Sequence, residues 1–281
     1  MKGENKKEGF TIIELLTVLA IIALLVGILV PSMNRVRFFA RNTRQQAQIT
    51  AIDMALTMFR NDYGDYPPSN QFDEDPTSNN IYNGAQKLAE AMVGLDMLGF
   101  HPNSAWRADK LSLGGGPLLY NTSTTNAGTL NQRVGPYLEV SKANAFTLQQ
   151  LFGFTFPISN TLVLCDTFKR LKADPLPPAD PTIKLDAGMP ILYFKANPDQ
   201  ATTNMIYTYT DNAAVINFKA SNDGIPTADP ILTNFYTIIE DTQAASVAFT
   251  SRPYRADSYI LISAGSDGLY GTADDITNFG N

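Results

Sequence analysis

The chain contains a single cysteine, Cys165, and a single histidine, His101. One cysteine excludes an intramolecular disulfide. One histidine argues against a histidine-based metal centre and against a histidine-dependent catalytic triad. Positive charge is also scarce: 21 Lys and Arg stand against 27 Asp and Glu, for a net charge of −6. With no basic patch interleaved with aromatics, nucleic acid is not expected as a partner. Charged residues make up 17% and hydrophobic residues 44% of 281 positions, the composition of a chain that folds as one domain or two small ones. A G-x-S-x-G nucleophile motif is missing too. Cys165 lies in the apolar run TLVLCD (161–166) and reads as a packing residue. LGGGP (113–117) lacks the lysine–serine/threonine ending of a phosphate loop and reads as a turn. A membrane-anchored enzyme using paired carboxylates has no motif to stand on, and a lipid-anchored binding domain has no acylation cysteine near the start.

What the chain does have is a long apolar opening. Residues 6–31 read KKEGFTIIELLTVLAIIALLVGILVP, apolar from Phe10 to Val30 apart from Glu14 and Thr residues. As a helix this run is about 31 Å long, the depth of a bilayer core. It is too long for a secretory signal peptide, and Pro31-Ser32-Met33 is not an A-x-A cleavage site. A carboxylate inside such a helix costs about 3 kcal/mol on insertion. Glu14 must therefore either reach water at the interface or find a cationic partner.

The string GFTIIELLTVLAIIALL resembles the class III signal of type IV pilins and type II secretion pseudopilins. The resemblance implies that residues 1–9 are a leader, cut by a prepilin peptidase between Gly9 and Phe10, with the new Phe10 amine then methylated. It implies that Glu14 pairs with the N-terminal amine of a neighbouring subunit and sets the register of a homo-oligomeric filament. Other implied partners are further pseudopilins, an inner-membrane assembly platform, and membrane lipid before assembly. The head would lie in the periplasm of a bacterium. Two features depart from the pattern. Glu8 stands before Gly9, where a basic residue is more usual. Arg35, Arg37, Arg41 and Arg44 follow the apolar run, and a positive-inside count would put them in the cytoplasm.

The remaining chain predicts an α+β fold, pilin-like, in which a long N-terminal helix packs on an antiparallel sheet. Segment 10–31 is the spanning helix and 32–62 its amphipathic continuation, with Ile49, Ile52, Leu56 and Phe59 on one stripe. Gly64 suits a left-handed cap. Asp65-Tyr66-Pro67-Pro68 then forces an extended exit and resembles the N-G-x-Y-P turn of the family. In the head, 63–281, a second helix is expected over 85–100, weakened at Gly94. Segments 69–84 and 122–131 read as loops. Trp106 reads as a buried residue rather than a groove marker. The proline-rich stretch 172–190 reads as an extended excursion. Strands are expected at 191–196, 205–210, 214–219, 234–240, 246–250 and 258–264, from their β-branched and aromatic content.

The C-terminus, SAGSDGLYGTADDITNFGN, places Asp267, Asp274 and Asp275 among Gly265, Gly268 and Gly271. Carboxylates on a curling glycine loop are the donor type calcium takes, although the spacing is not an EF-hand. The loop resembles the C-terminal calcium loop of the major, G-type pseudopilin, which would make Asp267, Asp274 and Asp275 ligands of Ca2+, with carbonyls from Leu261 to Ser266 nearest. The expected function is a structural, non-enzymatic subunit of a type II secretion-like pseudopilus with an enlarged head, region 69–190 being the insertion. The alternative is a type IV pilin or minor pilin serving adhesion or DNA uptake.

Overall fold

The computed structural model describes residues 9–76, 78, 80–121, 127–153, 161–175, 183–200, 206–222, 229–242 and 252–280. The chain divides into two units, one ending at Thr43 and one beginning at Arg44. Helix α1 (Ile12–Tyr63) is unbroken over 52 residues and contributes to both.

From Ile12 to Val30 the helix is apolar on all sides apart from Glu14 and Thr17, and its side chains are exposed: Ile12 is 84%, Leu24 65% and Ile28 67% accessible. No polar face interrupts this surface, so water is the wrong solvent for it. The helix is long and apolar enough to cross a membrane.

In the second unit α1 becomes one-sided, as its spacing predicts. Ile49, Ile52, Leu56 and Phe59 are buried. They share a core with helix α2 (Gly84–Val93) and with one face of an antiparallel sheet of β5 (Leu192–Lys195), β6 (Tyr259–Ser263) and β7 (Ile276–Thr277), in the order β5-β6-β7. The register pairs Leu192 with Ile262 and Lys195 with Tyr259. Period-two alternation sends Tyr193, Tyr259 and Leu261 toward α1, and Leu192, Phe194, Ile260 and Ile262 into a second core on the opposite face. The sheet is buried on both sides, which is why its strands read as continuous apolar runs. Asp53 fastens α1 to the sheet by accepting from Tyr259 Oη at 2.7 Å and Asn278 Nδ2 at 3.1 Å.

Helix α1 ends at Tyr63, where Gly64 takes φ +83° and its N–H bonds the Arg60 carbonyl at 2.7 Å, the expected left-handed cap. Helix α2 is shorter than predicted. Gly94 stops it at Val93, with Leu98 left 48% exposed. At its start, a Cβ on Gly84 would lie 2.3 Å from the Tyr193 carbonyl oxygen; glycine there lets α2 sit directly on β5. Two further two-stranded sheets are present: β1 (Ala145–Thr147) with β2 (Leu162–Leu164), and β3 (Leu171–Ala173) with β4 (Leu185–Ala187), both antiparallel. Cys165, next to β2, is fully buried. Trp106 packs against Phe100, with ring centroids 5.0 Å apart.

Three predicted strands are not strands. Segment 214–219 lies in helix α6 (Ala213–Asn222) and 234–240 largely in helix α7 (Ile231–Ile238). Ile206 is helical, Tyr207 and Thr208 are irregular, and Tyr209–Asp211 form a 3-10 turn; Met205 lies outside the described residues. Val215, Ile216, Ile231, Phe235 and Ile239 cover the sheet face that α1 does not. Their β-branched and aromatic character gave the strand reading, but that preference is weak, and the demand to cap a bare sheet face overrode it. The spacing Ile231, Phe235, Ile239 was a helical stripe in plain view. Segment 246–250 lies outside the described residues.

The expected loops also carry structure. Helix α3 (Ala127–Asn131) occupies the end of segment 122–131, and residues 122–126 lie outside the described residues. Short helices α4 (Val140–Ala143) and α5 (Leu148–Phe152) flank β1. Segment 69–84 is pinned rather than solvated. The fully buried Lys87 ammonium donates to the Phe72 carbonyl at 2.8 Å and pairs with Glu74 at 3.0 Å, and buried Asp75 pairs with Arg107 at 2.5 Å. Such buried charges persist only because each is partnered.

Candidate functional site

At the N-terminus, Gly9 and Phe10 precede the helix, and Phe10 is 76% exposed. Thr11 is the residue just before α1, and Glu14 is the third residue inside it. The Glu14 carboxylate accepts from Thr11 N at 2.8 Å and from Thr11 Oγ1 at 2.6 Å; Thr11 Oγ1 in turn accepts from Glu14 N at 3.3 Å. This is a reciprocal capping box. From the sequence, Glu14 needed either water or a cation, and Thr11 as a third partner was missed; the spacing T-x-x-E at the head of an apolar run was the available signal. The cap satisfies N–H groups that have no partner within the helix, and the acid also faces the positive end of the helix dipole. Gly9, Phe10 and Glu14 thus lie together at one helix terminus.

The second predicted group forms the turn between β6 and β7. Gly265 takes φ +63°, and a Cβ there would fall 2.3 Å from the Asp274 carbonyl oxygen, so only glycine allows the loop to close. Asp274 Oδ2 accepts from Ser266 N at 2.7 Å, Ser266 Oγ at 2.8 Å and Asp267 N at 3.0 Å, and its Oδ1 accepts from Thr272 Oγ1 at 2.6 Å. Asp267 Oδ1 accepts from Leu269 N at 2.8 Å and Asp275 Oδ2 from Gly271 N at 2.7 Å.

These surroundings tune the three acids differently. Burial raises Asp267, and the neighbouring Asp274 charge adds to the rise. Burial also pushes Asp274 upward, but donors from Thr272, Ser266 and Asp267 outweigh it and leave that acid lowered. Asp275, 4% exposed, is pushed up to about 7, chiefly by burial. Asp267 and Asp274 are therefore close enough to repel, a condition a cation would relieve. As placed, however, their oxygens are taken up by amide and hydroxyl donors. Among the described residues no group of three or more His, Cys, Asp or Glu side chains is placed to hold a metal ion. Of the expected carbonyls, that of Leu261 accepts from Asn278 N at 3.4 Å, and Leu261 to Ser263 belong to β6.

The prokaryotic N-terminal methylation motif matches residues 5–30. The type II secretion system core protein G of Escherichia coli (strain K12) is 32% identical over 71 residues, which is 25% of this chain and 49% of that protein. The chain thus spans about half the length of that curated relative. No solved structure matches the chain. The motif and the relative together support placement in the type IV pilin and pseudopilin family, and the long apolar helix followed by small antiparallel sheets has the pilin-like α+β arrangement.

Proposed function

We propose that this chain is a structural, non-catalytic subunit of a type II secretion-like pseudopilus, cut between Gly9 and Phe10 by a prepilin peptidase, methylated on Phe10, and assembled through its N-terminal helix. The single observation that carries the reading is the methylation motif over residues 5–30 lying on a helix whose apolar surface is exposed all round. Such a surface requires lipid before assembly and other copies of the same helix after it. Further pseudopilins and an inner-membrane assembly platform belong to the same reading, with the head in the periplasm and no nucleic acid bound. In the filament, Glu14 would trade part of its Thr11 cap for the amine of the adjoining subunit.

The test is intact-mass analysis of the protein from its native host, with Glu14→Leu beside it. A chain starting at methylated Phe10, and a variant that enters the membrane yet yields no filament, are expected. A chain starting at Met1 overturns the processing, and normal filaments from Glu14→Leu overturn the register role.

Calcium at the C-terminal loop belongs to the proposal as well. Its support is the repulsion between Asp267 and Asp274, which a divalent ion would offset. The ion would have to replace amide donors on the Asp274 and Asp275 carboxylates.

A further inference from the structure

Just past its apolar run, within the first unit, α1 carries Arg35, Arg37 and Arg41, all of them exposed. None has an ion-pair partner among the described residues, and no acid lies between Glu14 and Asp53 on the helix. Arg37 and Arg41 stand four residues apart on one face, where like charges repel. At about 100° per residue, Arg35 falls on the opposite side. The three cations therefore form a collar around the helix, not a stripe along it. Phe38 and Phe39, 42% and 66% exposed, lie among them with ring centroids 6.1 Å apart. Arg35, Phe38 and Phe39 line one shallow hollow on the helix surface.

Depth points to what meets this collar. At helical rise, Arg35 lies about 8 Å and Arg41 about 16 Å beyond Val30. The headgroup layer adds about 5–7 Å to each side of a bilayer's hydrocarbon core. Side chains on an α-helix lean toward its N-terminus, so these arginines reach back toward the apolar run. A guanidinium fork matches the oxygens of a phosphate. A folded partner covers one side of a helix, whereas a lipid surface meets it on every side. The ring of arginines and the apolar surface exposed all round from Ile12 to Val30 fit the same surroundings.

We propose that Arg35, Arg37 and Arg41 bind the phosphates of anionic phospholipid headgroups in the leaflet at the C-terminal end of the apolar run, with Phe38 and Phe39 supplying apolar surface at the interface. The collar sets the depth of α1 in the bilayer. The inference rests on α1 spanning a membrane and adds to that reading the class of lipid it selects.

The experiment reconstitutes the full chain in phosphatidylcholine vesicles carrying a small fraction of spin-labelled phosphatidylglycerol or spin-labelled phosphatidylcholine, and measures the motionally restricted fraction of each label. Phosphatidylglycerol should be held about fivefold more tightly, the worth of roughly one arginine at a charged membrane surface, and 1 M NaCl should reduce the preference. Arg35→Gln, Arg37→Gln and Arg41→Gln together should abolish it while leaving restricted phosphatidylcholine unchanged. Lys2→Gln, Lys6→Gln and Lys7→Gln together, at the other end of the run, should leave it in place. Equal affinity for the two lipids in the wild type, or a preference that survives the triple arginine variant, overturns the proposal with the spanning helix intact. Restriction of neither lipid overturns the spanning reading and the collar with it. If the arginine variant keeps its lipid preference but loses self-association in micelles, the arginines serve a second copy of the chain and the lipid assignment falls.

Discussion

Asp275 offers the sharpest test of the head's electrostatics. Its carboxyl is held near 7 rather than 3.8, chiefly by burial. The folded chain thus keeps a proton that the unfolded chain has already released between about pH 4 and pH 7. In that window the unfolded state binds fewer protons, so stability falls as pH rises and is level on either side. The full span, from 3.8 to about 7, corresponds to about 4 kcal/mol, of which about 3 kcal/mol falls between pH 5 and pH 8. Asp275→Asn keeps an acceptor for Gly271 N while removing the charge. Urea unfolding of the full chain in micelles can be followed by the fluorescence of Trp106, the one tryptophan, which packs on Phe59 and Phe100 in the head. Asp166, also pushed up to about 7, and Asp211, pushed up to about 6, keep a slope of the same sign in both proteins. The informative quantity is therefore the difference between wild type and variant, which should shift by about 3 kcal/mol in the variant's favour from pH 5 to pH 8. Parallel pH curves for the two proteins would refute the argument.

Other outcomes follow from the same geometry. Leu56→Ala empties a fully buried position between α1 and the sheet and should cost about 2–5 kcal/mol in the same unfolding assay. Gly265→Ala forces a side chain into the Asp274 backbone at φ +63° and should lower the melting temperature by several degrees, whereas alanine at Gly64, where nothing lies within 4 Å, should cost only about 1 kcal/mol of left-handed strain. Thr11→Val removes the hydroxyl of the capping box and should fray the first turn of α1, read by amide exchange, while leaving the unfolding of the head unchanged. If calcium binds the C-terminal loop, a chelator should lower the melting temperature of the wild type and not of Asp267→Ala; equal curves with and without chelator would dismiss the ion.

The parts legible in the chain are those set by local pattern. The apolar run and the stripe Ile49, Ile52, Leu56 and Phe59 define α1, and Gly64 ends it, because helix period and left-handed caps are properties of neighbouring residues. The runs around 192–195 and 259–263 are strands as expected. Gly9, Phe10 and Glu14 stand at the start of α1, and the carboxylates of Asp267 and Asp274 lie close in one loop; their roles in processing, assembly and metal binding remain proposals. Segments 214–219 and 234–240 were misread because β-branched and aromatic residues serve a packed helix as readily as a strand.

The amino-acid order by itself determined a helix with two characters, apolar all round and then one-sided, and a glycine-bearing acidic turn at the far end. The tertiary structure decided what no local window holds. It placed α6 and α7 on the open sheet face, buried Lys87 against Asn70 and Glu74, and enclosed polar atoms of Gln45, Gln48 and Thr167 without partners. The physical reason is that burial and partner satisfaction are settled by residues far apart in the chain, so the same side chain is solvated or enclosed, paired or lacking a partner, only once the core has closed around it.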